Sequence, residues 1–490
     1  MKKMFLLFLG IGMFVASCSK DDNSIVNTDT PDPIGTVDVT VQDFMWNAMN
    51  LWYFWQADVP NLSDTKFSTN AEYTAFLESE SDPNLFFENK LRFSEDRFSF
   101  LAEDYKELVQ SFAGVSKSNG LEFGLSFYGE GNDVFGYVRY VIPNSDASTK
   151  TIQRGDLFTG VNGVSLNADN YIDLLFGDAD GYTLNMADIN NSTITPNNRE
   201  VALTKFEGLV ENPVFLTKTI DINGKKIGYL MYNGFTRNFD EDLNNAFGTL
   251  KAAGVTDLVL DFRYNPGGSV NSSRLLSSMV YGTNTNQLYI RQRWNSKIQS
   301  QFTSAQLEDY FADKTGTGSA INTLNLSKVY VLATGSSASA SELVMNALDP
   351  YVEVVHIGTT TRGKNEFSIT LVDNESNSYI YSSSSENNIK SNNSWGIQPL
   401  VGRNENSVGF FDYTAGFTPD IELREDLSNL GQLGNVNEPL LARAIQEITG
   451  VSAKIDFTVK MPVDLLSSSK MFKPMRDNMY LDKELPAFKK

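Results

Sequence analysis

Among its 490 residues the chain has one histidine and one cysteine, and that scarcity removes several chemistries at once. With Cys18 alone, no intramolecular disulfide can form. With one histidine, zinc sites built on a His pair are excluded, and no phosphate-binding glycine loop precedes a lysine, so no metal or organic cofactor is implied. Basic residues are in deficit as well: 40 Lys and Arg stand against 60 Asp and Glu, a formal charge of -20, whereas nucleic-acid binding needs clustered cations. Long apolar runs are missing too; Met4 to Val15 is too short to cross a bilayer as a permanent helix. What is present is ample core material, 41% hydrophobic and 12% aromatic residues, enough for roughly two to four domains.

One stretch organises the rest. The apolar run Val329–Ala333 ends in Thr334-Gly335-Ser336-Ser337-Ala338-Ser339-Ala340-Ser341-Glu342, after which Leu343, Val344 and Ala347 recur at helical spacing. That pattern predicts a strand, a turn of small residues and a helix start whose first amides lack internal partners. A serine there sits beside hydrogen-bond donors, but its hydroxyl needs a base. His356 lies in the apolar run Val352–Ile357 and reads as a buried sheet residue. A lysine serves instead if burial leaves it neutral, and Lys364, after the Gly358-Thr359-Thr360-Thr361-Arg362-Gly363 turn, has that setting.

These residues carry a resemblance. Ser339-Ala340-Ser341-Glu342 with a lysine 25 positions after the first serine resembles the C-terminal processing peptidase (tail-specific protease) family of serine proteases. The resemblance implies Ser339 as nucleophile and Lys364 as general base, with Ser336, Ser337 and Ser341 left as turn or cap residues. Asp261-Phe262-Arg263-Tyr264-Asn265-Pro266-Gly267-Gly268 is similar to the family's Asp-x-Arg-x-Asn-x-Gly-Gly signature, which implies an oxyanion hole from the amides of Gly268 and Ala340. Family members often carry a glutamine four residues after the lysine; here that position is Ser368, which leaves the third site residue open, and Glu342 either orients the lysine or caps the helix.

The chain divides, on this reading, into six segments. Residues 1–18 form a signal segment: Lys2 and Lys3 precede the apolar run, and Val15-Ala16-Ser17-Cys18 resembles a bacterial lipobox, which implies lipidation at Cys18. Residues 19–40 are a polar tether, and Cys18-Ser19-Lys20-Asp21-Asp22 resembles a surface-export signal, so the expected location is an outer-membrane lipoprotein facing the periplasm or the cell surface. Residues 41–113 form a small helical domain with a scaffolding role, including a helix from Ala102 to Phe112. Its Asp96-Arg97-Phe98-Ser99-Phe100 resembles a sequence found ahead of the family's peptide-binding domain.

Residues 114–205 turn to strands, with Ile152–Gly163 resembling a PDZ hairpin and Gly124-Leu125-Ser126-Phe127 resembling a PDZ carboxylate-binding loop. Acidic clusters between Gly177 and Asn198 lack the closing glutamate of a calcium loop and read as solvated hairpins. Residues 206–450 alternate strand and helix as an α/β protease domain of the ClpP/crotonase-like type, and 451–490 form an extension that packs back on the body. The fold class expected is therefore multidomain α/β. The function expected is a membrane-anchored serine endopeptidase whose partners are protein or peptide substrates with free C-termini. A catalytically inactive peptide-binding adaptor and a nutrient-binding surface lipoprotein are the alternatives.

Overall fold

Parallel strands bury both faces, so a chain that alternates apolar strands with helices must cover its sheet on both sides. In a computed structural model of the chain, six strands do this in the order Val214–Ile222, Lys225–Tyr232, Asp257–Asp261, Lys328–Ala333, Glu353–Gly358 and Ile421–Glu422. The first pair is antiparallel and the remaining ladders are parallel. Side chains alternate between two cores: Leu258, Leu260, Val329 and Val331 face the helices Asp240–Ala252, Val270–Tyr281 and Ala340–Leu348, whereas Val259, Tyr330 and Leu332 face Pro439–Thr449. The structure describes residues 38–190, 192–451, 455–473, 476–483 and 485. Cys18, the signal segment and nearly all of the tether lie outside the described residues.

A second six-stranded sheet stands beside the serine turn, in the order Gly268–Ser269, Met479–Tyr480, Glu366–Ser368, Leu400–Glu405, Leu288–Trp294 and Glu308–Tyr310. Two of its members, from opposite ends of the catalytic stretch, are thus joined by a strand from the C-terminal extension. The third large sheet, of seven strands, is built mainly from Leu121–Phe127, Val134–Val141, Leu157–Val161 and the long hairpin Gly181–Asn190 and Thr193–Thr204. Its own core centres on Phe123, Leu125, Val138, Phe158, Leu184 and Met186.

The N-terminal helix Thr40–Trp52 buries Phe44, Met45, Ala48, Met49 and Trp52 against the main core, as their spacing predicts. Two local expectations change. Ala102 ends a short strand, Phe100–Ala102, and the helix spans Tyr105–Phe112 because Asp104 accepts the Lys106 N–H at 2.7 Å and so sets the cap. Gly124-Leu125-Ser126-Phe127 forms no loop; these residues lie within the strand Leu121–Phe127, paired on one side with Val134–Val141 and on the other with Ser467–Ser468. Beyond the strand Glu308–Tyr310, Phe311 and Ala312 are buried. The mixed, multidomain α/β class stands.

Candidate active site

Ser339 follows the strand Lys328–Ala333 and a tight turn, immediately before the helix Ala340–Leu348. Its backbone has φ 65° and ψ −115°, a region that costs a non-glycine residue about 1–3 kcal/mol and persists only where the surroundings impose it. They do so through neighbouring serines. Ser337 Oγ donates to Phe262 O at 2.7 Å, Ser341 Oγ donates to Asn265 O at 3.0 Å, and Ser336 Oγ accepts from Arg139 at 3.0 Å. Ser339 Oγ, fully buried, has no hydrogen-bond partner among the described residues. The turn therefore leaves one hydroxyl of the four unspent.

That hydroxyl faces the glycine pair. A Cβ on Gly267 would lie 2.7 Å from Ser339 Oγ, and one on Gly268 would lie 2.2 Å from Phe235 O, so neither position has room for a side chain. Their φ values of 111° and 134° add a backbone reason for glycine. Asn265 holds the pair in place: its Oδ1 accepts the Gly267 N–H at 2.9 Å, its Nδ2 donates to Tyr232 O at 2.7 Å, and its carbonyl accepts the Ala338 N–H at 3.1 Å. Ala340 opens its helix, so its amide has no intrahelical acceptor. Gly268 and Ala340 are thus brought to the two sides of Ser339, where amides can receive a developing oxyanion.

Glu342 ties the serine turn to the lysine turn. Its carboxylate accepts the Ser339 N–H at 2.8 Å, the Thr361 hydroxyl at 2.5 Å, the Gly363 N–H at 2.6 Å and the Lys364 N–H at 2.9 Å. Burial pushes its pKa up to about 7, against the pull of those four donors. One carboxylate thus meets the amide at the helix start and the backbone of the lysine turn.

Lys364 is 1% exposed, and burial pushes its pKa down to about 8, opposed by the carboxylates of Asp477, Glu366, Asp96 and Glu342. Its Nζ donates to the backbone carbonyl of Asp477 at 2.6 Å and lies 5.1 Å from the centre of the Phe98 ring. Among the described residues no carboxylate hydrogen-bonds to Nζ, which meets a neutral partner and an aromatic face. Ser368, four residues on, has its Oγ 2.7 Å from Gln398 Oε1 and 2.7 Å from Asn478 Oδ1. His356 is a buried strand residue whose Nε2 lies 3.2 Å from Ala333 O, and burial lowers its pKa.

Several neighbours of the lysine were not foreseen as such. Asp96–Phe100 had a visible motif but a scaffolding role; in the structure Phe98 covers Lys364, Arg97 donates to Gly363 O, and Asp96 accepts the Phe98 and Ser99 amides at 3.0 and 2.9 Å. Gln398 and Asp477–Asn478 had no motif at all. Beneath the glycine turn, Arg263 makes paired contacts to Asp261 and Glu438, and Arg154, from the turn before Leu157–Val161, joins Glu425 at 2.8 Å. Burial raises the Glu425 pKa, but Arg154 and Arg263 bring it down to about 2.

Comparisons with known proteins agree with one another. The family model for peptidase family S41 matches residues 226–401, and that for the peptidase S41 N-terminal domain matches residues 40–100. The chain is 25% identical over 300 residues to carboxyl-terminal-processing peptidase 3, chloroplastic, of Arabidopsis thaliana, and 24% identical over 265 residues to a carboxyl-terminal-processing protease of a Picosynechococcus species. The matches cover 58% and 54% of this chain, and the chain spans 54% and 58% of the length of those relatives. A solved structure of a candidate S41 protease from Bacteroides fragilis superposes with a TM-score of 0.64 at 26% identity, covering 84% of this chain and 97% of that one. Both family models and these relatives agree, so residues 226–401 carry the match to peptidase family S41 and residues 40–100 the match to its N-terminal domain, in a chain similar to the carboxyl-terminal processing peptidases.

Proposed function

We propose that this chain is a serine endopeptidase in which Ser339 and Lys364 form the catalytic pair and the amides of Gly268 and Ala340 the oxyanion hole. The observation that carries the reading is the contrast at the serine turn: the Ser339 hydroxyl is unspent on a strained backbone beside Gly267, while Glu342 fastens that turn to the one bearing a buried lysine. A lysine whose pKa burial lowers to about 8 is neutral in a useful fraction near neutral pH and can take the hydroxyl proton. Ser339 Oγ then attacks a peptide carbonyl, the oxyanion is held by the two amides, Lys364 returns the proton to the leaving amine, and water hydrolyses the acyl-enzyme.

The seven-stranded sheet acts, on this reading, as a PDZ-like domain that receives the C-terminus of a protein substrate along Leu121–Phe127. An exposed strand edge adds a peptide by main-chain hydrogen bonds, and this one already accepts another strand there. Cys18 carries the lipid that anchors the enzyme to the outer membrane, on the periplasmic or the cell-surface side, with residues 19–40 as tether. The test is cleavage of an unfolded protein with a free apolar C-terminus by the chain and by its Ser339→Ala and Lys364→Ala variants. Both substitutions are expected to lower kcat by at least about a thousandfold with folding intact; equal cleavage by all three would refute the assignment.

A further inference from the structure

Described residues of the C-terminal extension reach the sheet edge, the candidate base and the glycine turn. Ser467 and Ser468 pair antiparallel with Leu125 and Gly124, the Leu466 N–H donates to Leu125 O at 2.8 Å, and Ser469 Oγ accepts the Phe123 N–H at 3.0 Å. This is the addition of a strand to an open sheet edge, the manner in which that edge would take a peptide. Farther along, Asp477 O accepts Lys364 Nζ, and Met479–Tyr480 pair parallel with Gly268–Ser269.

The register of that last ladder places one carbonyl. The Ser269 N–H is given to Phe235 O, so in the parallel pairing of Gly268 with Met479 the Gly268 N–H is the group that faces Asn478 O. The same point is marked independently: a Cβ on Gly267 would lie 2.9 Å from Asn478 O and 2.7 Å from Ser339 Oγ. The Asn478 carbonyl therefore stands between the candidate nucleophile and the candidate oxyanion amide. Its side chain fills a polar pocket, with Oδ1 2.7 Å from Ser368 Oγ and Nδ2 donating to Gln398 Oε1 at 3.2 Å. Met479 beyond it is fully buried.

We propose that residues 464–473 and 476–480 occupy the path along which a polypeptide substrate is bound, with Asn478 at the residue attacked, so that the site prefers a carboxamide side chain there and stays closed to other chains until these residues are displaced. The proposal rests on the Ser339/Lys364 reading for its chemistry. The pocket explains the preference: an amide both accepts from the Ser368 hydroxyl and donates to Gln398 Oε1, an aliphatic side chain leaves those two groups only each other, and a carboxylate sets a second acceptor against Gln398 Oε1 with no donor to offer it. The closure explains why Lys364 Nζ is held by Asp477 O while Ser339 Oγ has no partner among the described residues. With the segment in place the two groups are parked apart.

The test loosens the segment within the full chain. Met479→Asp removes its buried anchor, and a Ser469→Ala/Lys473→Ala variant weakens its attachment at the sheet, where Ser469 meets Phe123 and Glu122 and Lys473 pairs with Glu122 and Glu211. The second variant decides the matter if the first fails to fold by circular dichroism. Cleavage of a fluorescent unfolded protein is expected to rise at least about tenfold in the loosened forms. A synthetic peptide of residues 464–483 should inhibit them competitively, and its Asn478→Leu version should be about tenfold weaker or worse. Equal cleavage by loosened and unaltered chains, with no peptide inhibition, overturns the proposal while leaving the peptidase reading intact. Equal inhibition by the two peptides overturns the carboxamide preference. The same peptide, labelled, is titrated into the loosened chain carrying Ser339→Ala: binding there, with no cleavage by any form, upholds the path and removes the peptidase reading, and no binding overturns the path.

Discussion

Two buried cations lie near the candidate active site, and they are treated in opposite ways. Arg263 is fully buried and meets Asp261, Glu425 and Glu438, so its charge is matched; its pKa is raised well above the ordinary arginine value because those carboxylates outweigh the burial that opposes it. Lys364 is as deeply buried, yet its Nζ donates to a backbone carbonyl and faces an aromatic ring, and its pKa falls to about 8. A buried charge that is paired holds a structure together; one left without a hydrogen-bonded counterion gives up its proton more easily. The first arrangement suits a fixed joint under the glycine turn. The second suits a base.

Substitutions at the two positions should separate these roles. The largest effect is expected at Lys364→Met: loss of at least about a thousandfold in kcat, with a melting temperature equal to or above that of the unaltered chain, since a buried group with a desolvation cost is replaced by an apolar one of similar shape. Arg263→Met should do the reverse, destabilising by about 3–5 kcal/mol in denaturant unfolding, because Asp261 and Glu438 are left buried and uncompensated. If Lys364→Met instead unfolds the chain while Arg263→Met leaves its stability alone, the contrast is wrong.

Stability against pH gives a finer test. The folded pKa of Lys364 is depressed from 10.5 to about 8, so between those values the unfolded chain binds more protons, and this group's contribution to stability is present at high pH and lost as pH falls through 8. The contribution amounts to about 3 kcal/mol across that window. It should be absent from Lys364→Met and appear as the difference in stability between the unaltered chain and that variant, followed by urea unfolding at several pH values. The smallest effect is expected at His356→Gln, far from the serine: kcat within about threefold of the unaltered chain, with only a modest change in stability. A large loss of kcat there would return the histidine to the list of bases.

Much of this contrast could be read in the chain before any fold was known. Ser339, Lys364 and the glycine pair lie in motifs with local chemistry, small residues at a strand end and a lysine after a glycine turn, and such signals survive in one dimension. The α/β alternation of the central sheet was legible for the same reason, through apolar strands and helical spacing. What was not legible depends on distance along the chain. Phe98 reaches Lys364 across the fold, and Asp477 to Tyr480 join strands from Gly268 and Ser368, although their own sequence shows neither periodicity nor a motif. The strand Leu121–Phe127 was read as containing a loop because Gly124-Leu125-Ser126-Phe127 resembles a PDZ carboxylate-binding loop; the space beside Tyr137, where a Cβ would lie 2.3 Å from that ring, is the better reason for the glycine.

The pH dependence of kcat/KM bears most directly on the central claim, that a buried lysine is the base. Measured on an unfolded protein substrate from about pH 6 to about pH 10, it should rise as Lys364 loses its proton, with a midpoint near the folded value of about 8. A profile that is flat across that range, or one whose midpoint lies near the ordinary histidine value of about 6.5, would contradict the account.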